Sequence, residues 1–156
     1  MSHLTWKDPL VLPWITLLLE CYHYWMGKPL VPVPDDSPDA LATYVYEAPF
    51  VIVSHNNLPD PLLNYGNKIA LQLWEMNWDE FIGTPSRLTA EPMNREERSH
   101  MLQHATNKGY ICDYRGIRIA KSGRRFLVEK AVVWNIFDTQ QRFQGQAATF
   151  SQWTFL

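Results

Sequence analysis

The sequence predicts an α+β fold, a five-stranded antiparallel sheet with short helices on one face, on three observations. A β-branched run, Phe50 to His55, is bounded by Pro49 and by Asn56-Asn57-Leu58-Pro59-Asp60. Several short helical segments fill the middle of the chain. Three strand-like runs with tight turns close it, as an antiparallel meander requires.

Taken in order, Asp8-Pro9 reads as a helix N-cap and first-turn pair. Trp14, Leu17, Leu18, Cys21, Tyr22 and Trp25 then recur at helical spacing up to Gly27. Ile15, Leu19 and Tyr24 make this helix more apolar than a surface helix needs, so it should cover a sheet or meet a partner helix. From Lys28 to Pro38 four prolines predict an extended linker. Ser37-Pro38-Asp39 starts a second helix, through about Tyr46, which Pro49 ends.

After the first strand, Leu62 to Tyr65 reads as a second. Gly66-Asn67 opens a helix with Ile69, Ala70, Leu73 and Trp74 on one face. A helical turn from Trp78 to Ile82 ends at Gly83, a suitable left-handed cap. Asn94 and Glu97 form a capping-box pattern before Met101, Leu102 and Ala105, and the helix closes at Gly109. The final strands are Tyr110 to Ile119, Arg125 to Phe137 and Phe143 to Trp153, divided by Lys121-Ser122-Gly123 and Asp138-Thr139-Gln140-Gln141. The chain thus divides into an N-terminal helix with its Pro-rich linker, 1–37, and a main domain, 38–156.

At 156 residues, with 46% hydrophobic and 19% charged, the chain belongs with ordinary folded domains. A net charge of −2 with scattered signs speaks against a nucleic-acid or anionic-membrane partner. The basic residues Arg115, Arg118, Lys121, Arg124 and Arg125 flank a hairpin turn and read as its solvated rim. Cys21 and Cys112 lie far apart without zinc spacing, and the start carries no signal-peptide pattern. The apolar stretch Leu10 to Leu19 is too short to span a bilayer. A cytoplasmic protein is expected.

The element order resembles that of PAS domains across residues 47 to 153. Asn64-Tyr65-Gly66-Asn67-Lys68-Ile69-Ala70 is similar to the family's Asn-x-x-Ala helix start, and Trp78-Asp79-Glu80-Phe81-Ile82-Gly83 to its short Glu-Phe-Ile-Gly-like element. A closer resemblance is to the MEKHLA domain, a PAS-related family of stand-alone bacterial proteins and plant homeodomain leucine-zipper C-termini. Ser54-His55, Leu63-Asn64-Tyr65-Gly66-Asn67, Pro85-Ser86-Arg87-Leu88-Thr89-Ala90-Glu91, Tyr114-Arg115-Gly116-Ile117-Arg118 and Gly123-Arg124-Arg125-Phe126 carry it. No basic recognition helix or heptad run is present, so DNA binding does not follow; a sensory or dimerising role does.

Sensor PAS domains bind small molecules between the sheet and the helices. That resemblance points to Trp74, Phe81, Met101, His104, Tyr114, Val133 and Trp134 as residues lining a pocket, against the alternative of a plain filled core. His100 and His104 stand four apart on one helix, a spacing open to metal or haem iron and equally to two solvated imidazoles. No carboxylate or thiol partner joins them, so no metal is assigned and the cofactor is left unknown. The flavin-photoreceptor cysteine motif is missing, and Cys112, on a strand beside Asp113 with no nearby His or helix N-terminus to activate it, reads as an inert structural thiol. Ser54 and His55 are strand neighbours pointing to opposite faces and cannot form a dyad alone. Ser86, Arg87, Thr89, Glu91, Asn94 and Arg95 make a polar loop that either binds, gates or stitches itself to the sheet.

The expected function is a non-enzymatic sensory or regulatory module, with a small apolar or aromatic ligand inside and dimerisation through Trp14, Leu18, Tyr22 and Trp25. The alternative is a ligand-free interaction domain that docks on another protein.

Overall fold

The computed structural model describes residues 5–32 and 38–156. Residues 33–37 of the Pro-rich linker, the Ser37 cap among them, lie outside the described residues. Among the described residues five α-helices are formed: α1 (Leu12–Met26), α2 (Pro38–Tyr46), α3 (Lys68–Trp74), α4 (Trp78–Phe81) and α5 (Pro92–Lys108), with a 3-10 turn at Ser86–Thr89. The strands are β1 (Val51–His55), β2 (Leu63–Gly66), β3 (Tyr110–Ile119), β4 (Arg125–Phe137), β5 (Phe143–Phe150) and β6 (Gln152–Phe155). They build one antiparallel sheet in the order β2-β1-β5-β4-β3, with β6 also on β4. This is the α+β architecture expected from the sequence.

Helices cover both faces of the sheet. On one, α1 and α2 bury Ile15, Leu18, Tyr22 and Val45 against Ile52, Trp134 and Ile136. On the other, α3 and α4 bring Leu73, Trp74 and Phe81 onto Val51, Phe126, Val128 and Phe150, and α5 adds Met101 and Ala105 over Val133. The face of α1 expected to meet a partner thus meets its own sheet. Leu18 and Tyr22 are buried there, Trp14 Nε1 donates to Ser54 Oγ at 2.8 Å and Trp25 Nε1 to Asn135 O at 3.1 Å.

Two bulges fix which side chains face which helices. Register shifts flank Tyr114 where β3 pairs β4, and Asp113 (φ 58) and Lys130 (φ 55) take left-handed conformations there. On β4 the second bulge switches the alternation: Phe126 and Val128 face α3 before it, and Ala131 and Val133 face the same side after it. Trp134, next to Val133, therefore points the other way, where its Nε1 donates to Leu18 O at 3.1 Å beneath α1. The sequence-based placement of Trp134 beside Val133 in one pocket is corrected on that ground.

Three boundaries also differ from expectation. Asp8 does not cap α1; its carboxylate accepts from Leu10 N in a preceding turn, and the helix starts at Leu12 with Pro13 in its first turn. Asn94 lies inside α5, which begins two residues earlier at Pro92. The last strand breaks at Ser151, so that β5 pairs with the C-terminal half of β4 and β6 with its N-terminal half.

Candidate functional site

Between the sheet and α3–α5 lies a cavity of about 80 Å³. Its walls are mostly apolar, from Val53, Leu63, Val128, Val133, Ala148 and Phe150, and they include Trp74, Phe81, Met101 and Tyr114 of the expected pocket set. That volume is well below the roughly 300–1,000 Å³ of sites for drug-sized molecules, and it suits a ligand of a few heavy atoms.

Local sequence sets each wall. Trp74 is the last residue of α3, which stops because Glu75 turns left-handed (φ 61). Trp74 O accepts from Lys121 N at 3.1 Å and the Glu75 carboxylate from Ser122 N at 3.0 Å, tying the helix end to the β3–β4 turn. The indole meets Phe81, Phe126 and Phe150 edge-on at centroid distances of 6.1, 5.3 and 6.3 Å. Phe81 reaches the cavity because residue 66 is glycine: a Cβ there would stand 2.7 Å from Phe81 Cε1. Gly116 does the same for Tyr114, whose hydroxyl would lie 2.2 Å from a Cβ at that position.

The polar lining is unusual. His55 ends β1 almost fully buried, with Nδ1 2.9 Å from Asn56 O. A carbonyl only accepts, so Nδ1 carries the proton and Nε2 presents a lone pair. That Nε2 is buried without a hydrogen-bond partner, and so is the Trp74 Nε1 donor. Burial lowers the His55 pKa to about 4, against the pull of the Asn56 bond and with help from the charge of Arg98. The imidazole is neutral at physiological pH.

Two arginines also line the cavity, each 8% exposed. From α5, Arg98 Nη2 donates to Ser86 Oγ at 2.8 Å. From β3, Arg118 donates to Ile117 O at 2.8 Å and to the Tyr114 hydroxyl at 3.0 Å, and that hydroxyl in turn donates to the Glu97 carboxylate at 2.9 Å. Burial, then the neighbouring charge of Arg118, pushes the Arg98 pKa down to about 10. Burial is also the main reason the Tyr114 phenol titrates above its ordinary range.

The neutral state of buried His55 makes stability pH-dependent. Its folded pKa lies below the ordinary 6.5, so between about pH 6.5 and 4 the unfolded chain binds a proton that the native chain refuses. Stability is expected to fall with decreasing pH across that window, by up to about 1.4 kcal/mol per unit. Urea unfolding at stepped pH should show this slope in the unaltered protein and a flatter one in His55→Gln; equal slopes would remove His55 as its source.

The other sequence-derived candidates are placed differently. His104 is on the solvent side of α5, exposed with His100 in an open depression shared with Glu96, Cys112 and Arg115. It adjoins Met101 at i,i+3 but falls at the solvent edge of the buried stripe that Arg98, Met101 and Ala105 form on α5. Among the described residues no group of three His, Cys, Asp or Glu gathers as a metal site would need. In the polar loop, Thr89 Oγ1 donates to Ser86 O at 2.7 Å, Arg95 Nε to Ala90 O at 3.1 Å, and Arg87 pairs with Asp60 at 3.3 Å. These contacts stitch the loop, while Thr89 also reaches the cavity. Sequence reasoning missed His55, Arg98 and Arg118 as lining residues. The available signal was that Arg98 lies three residues before Met101, on its face of the helix.

Comparison with known proteins agrees with the fold. A family model described as the MEKHLA domain matches residues 12–155. The PAS domain of a protein from Colwellia psychrerythraea superposes with a TM-score of 0.62 at 17% identity, covering 74% of this chain and 92% of that one. A light-oxygen-voltage domain studied with a flavin analogue gives 0.59 at 14% identity, over 75% and 84%. An RNA-binding light-oxygen-voltage receptor gives 0.63 at 18% identity, over 80% of this chain and 36% of the receptor. At such identities the likeness shows the shared fold alone. No curated protein matches the chain. No helix among the described residues is long and apolar enough to cross a membrane.

Proposed function

The chain belongs to the MEKHLA domain family, a PAS-like sensory family, and from that premise we propose that it is a non-enzymatic regulatory module that takes a small ligand into the cavity under α5. The observation that carries this reading is the pair of orphaned polar atoms, His55 Nε2 and Trp74 Nε1, on residues that line a mostly apolar cavity. A buried polar group left without a partner costs about 1–3 kcal/mol, which a ligand with a matching donor or acceptor restores. In a module of this kind the ligand acts by favouring one packing of α5 on the sheet over another.

The absence of a catalytic role is supported by how Ser54, the strand neighbour of His55, is used. Ser54 Oγ accepts from Trp14 and donates to Asn64 Oδ1 at 2.6 Å on the α1 side of the sheet, away from the His55 imidazole. The slightly acidic net charge of −2 supports a function without nucleic acid. Docking of another protein or a second copy is a further reading, favoured by Leu10 and Tyr24, which stand 77% and 78% exposed at and near α1.

Native mass spectrometry of the gently purified full chain tests both readings. The expected result is a mass exceeding that of the polypeptide, or, for protein emptied by dialysis, a ligand that raises Tm by about 5–10 °C at a hundredfold excess over Kd. An empty monomer that no small molecule stabilises would overturn the ligand reading. A dimer of empty chains would transfer the function to the surface.

A further inference from the structure

The cavity is lined by two positive charges, neither of them in an ion pair among the described residues. Arg98 and Arg118 are both buried, both line it, and lie close enough that the charge of Arg118 weighs against that of Arg98. A guanidinium carries about five N–H donors. Arg98 gives one hydrogen bond, to a serine hydroxyl, and Arg118 gives two, to a carbonyl and a phenol. All three acceptors are neutral. Among the described residues neither guanidinium forms an ion pair with a carboxylate; Glu97, whose charge partly offsets that of Arg118 at Arg98, is exposed and accepts from Tyr114. The ion pairs that do form, such as Arg87 with Asp60 and Arg142 with Asp138, lie at the surface.

Two like charges removed from water without an anion are expensive, and a buried charge is ordinarily paired. An anion set between the two guanidiniums would neutralise both and accept from their free donors in the charge-assisted geometry that arginine favours. The remaining walls determine what else the anion carries. Val53, Leu63, Val128 and Val133 call for a hydrocarbon body, which a bare inorganic anion lacks, and about 80 Å³ limits that body to a few carbons. The neutral His55 Nε2 accepts and does not donate, so it calls for a donor on the ligand, which a hydroxyl supplies without adding a positive charge beside the arginines.

We propose that the ligand is a short-chain hydroxy acid bound as its anion, with the carboxylate held by Arg98 and Arg118 and the hydroxyl donating to His55 Nε2. This assignment rests on the reading of the cavity as a ligand site. It also accounts for the contrast between a protein of net negative charge and an interior that is locally positive. The substituent on each face of the ligand is thereby matched to a named side chain, and each match can be removed separately.

The test is titration calorimetry on the full chain with 3-hydroxybutyrate, butyrate and 3-hydroxybutyramide. The hydroxy acid should bind most tightly. Removing the charge, in the amide, should weaken binding roughly thirtyfold or more, and removing the hydroxyl, in butyrate, roughly fivefold to tenfold. Arg118→Gln and Arg98→Gln should each bring the acid down to the affinity of the amide, in variants whose aromatic near-UV circular dichroism is unchanged. Should either variant fail to fold, the acid-to-amide ratio on the unaltered protein decides alone. Equal binding of acid and amide, or a neutral molecule retained on purification, overturns the anion while leaving the cavity a ligand site. No binding of any of the three at millimolar concentration, together with an empty native mass, overturns both.

Discussion

Asn67→Ala is expected to lower the unfolding free energy by about 3–5 kcal/mol, because one fully buried side chain closes four backbone groups at once. Its Oδ1 accepts from Ile52 N at 3.1 Å and Ala70 N at 3.2 Å, and its Nδ2 donates to Phe50 O at 2.7 Å and Val45 O at 3.3 Å. The same amide therefore caps α3, anchors the start of β1 and holds the end of α2. Alanine leaves two buried donors, Ile52 N and Ala70 N, and the Phe50 carbonyl without partners, while Val45 O keeps only its longer bond from Ala48 N at 3.4 Å. Asn67→Asp makes a sharper comparison: it keeps the acceptor and turns the donor into a second acceptor facing two carbonyls. It should be nearly as damaging at pH 7 and recover part of the loss in acid, where the carboxyl is protonated. Urea unfolding measures all three proteins. A loss below about 1 kcal/mol for the alanine variant would mean the clamp is not a clamp.

Gly145→Ala should cost at least about 3 kcal/mol, and a Tm drop of roughly 6–12 °C. Gly145 has φ 151, and a Cβ built on it would stand 2.1 Å from the backbone oxygen of His55. Backbone cannot rotate away as a side-chain tip can, so β1 and β5 must separate where His55 pairs with Gln146. Gly83→Ala is the control, since Gly83 also has positive φ (90) but open space around its Cβ position. It bears the conformational strain without the collision and should lose only about 1 kcal/mol. If the two alanine variants melt together, close approach is not what selects glycine at position 145.

Much of the fold was legible because its punctuation is chemical. Gly109, the Lys121-Ser122-Gly123 turn and the Asp138 turn fix the bounds of β3 and β4, which match the sequence reading residue for residue. Asn67 was legible as a helix start because no other role explains an asparagine before an apolar helical stripe. The errors have a common origin in competition between equal local signals. Pro9 and Pro13 both suit a helix start, and Pro92 and Asn94 both suit another; tertiary packing chose the second of the first pair and the first of the second.

For the cavity, apolar residues were found and charged ones were not. Trp74, Phe81, Met101, Tyr114 and Val133 were named from the resemblance to PAS sensors, and all five line it. Trp134 was misplaced because the bulge at Lys130 and the strict alternation beyond it lie in pairing geometry, which a single strand does not display. Arg118 was assigned to a solvated rim with four other basic residues. In the alternation of β3 it falls on the face of Tyr114 and Gly116, so composition pointed to solvent while periodicity pointed inward. Where those two disagree at an arginine, periodicity is the better guide to position and the disagreement itself marks the site.

The placement of α1 has a kinetic consequence. Because the helix and the sheet face it covers are parts of one chain, any segment from outside competes with a resident whose effective concentration is about millimolar. Capture of that face by a second copy or another protein must wait for α1 to lift, breaking the bonds of Trp14 to Ser54 and Trp25 to Asn135. Association there would consequently saturate: beyond some partner concentration its rate would equal the opening rate of α1 and rise no further.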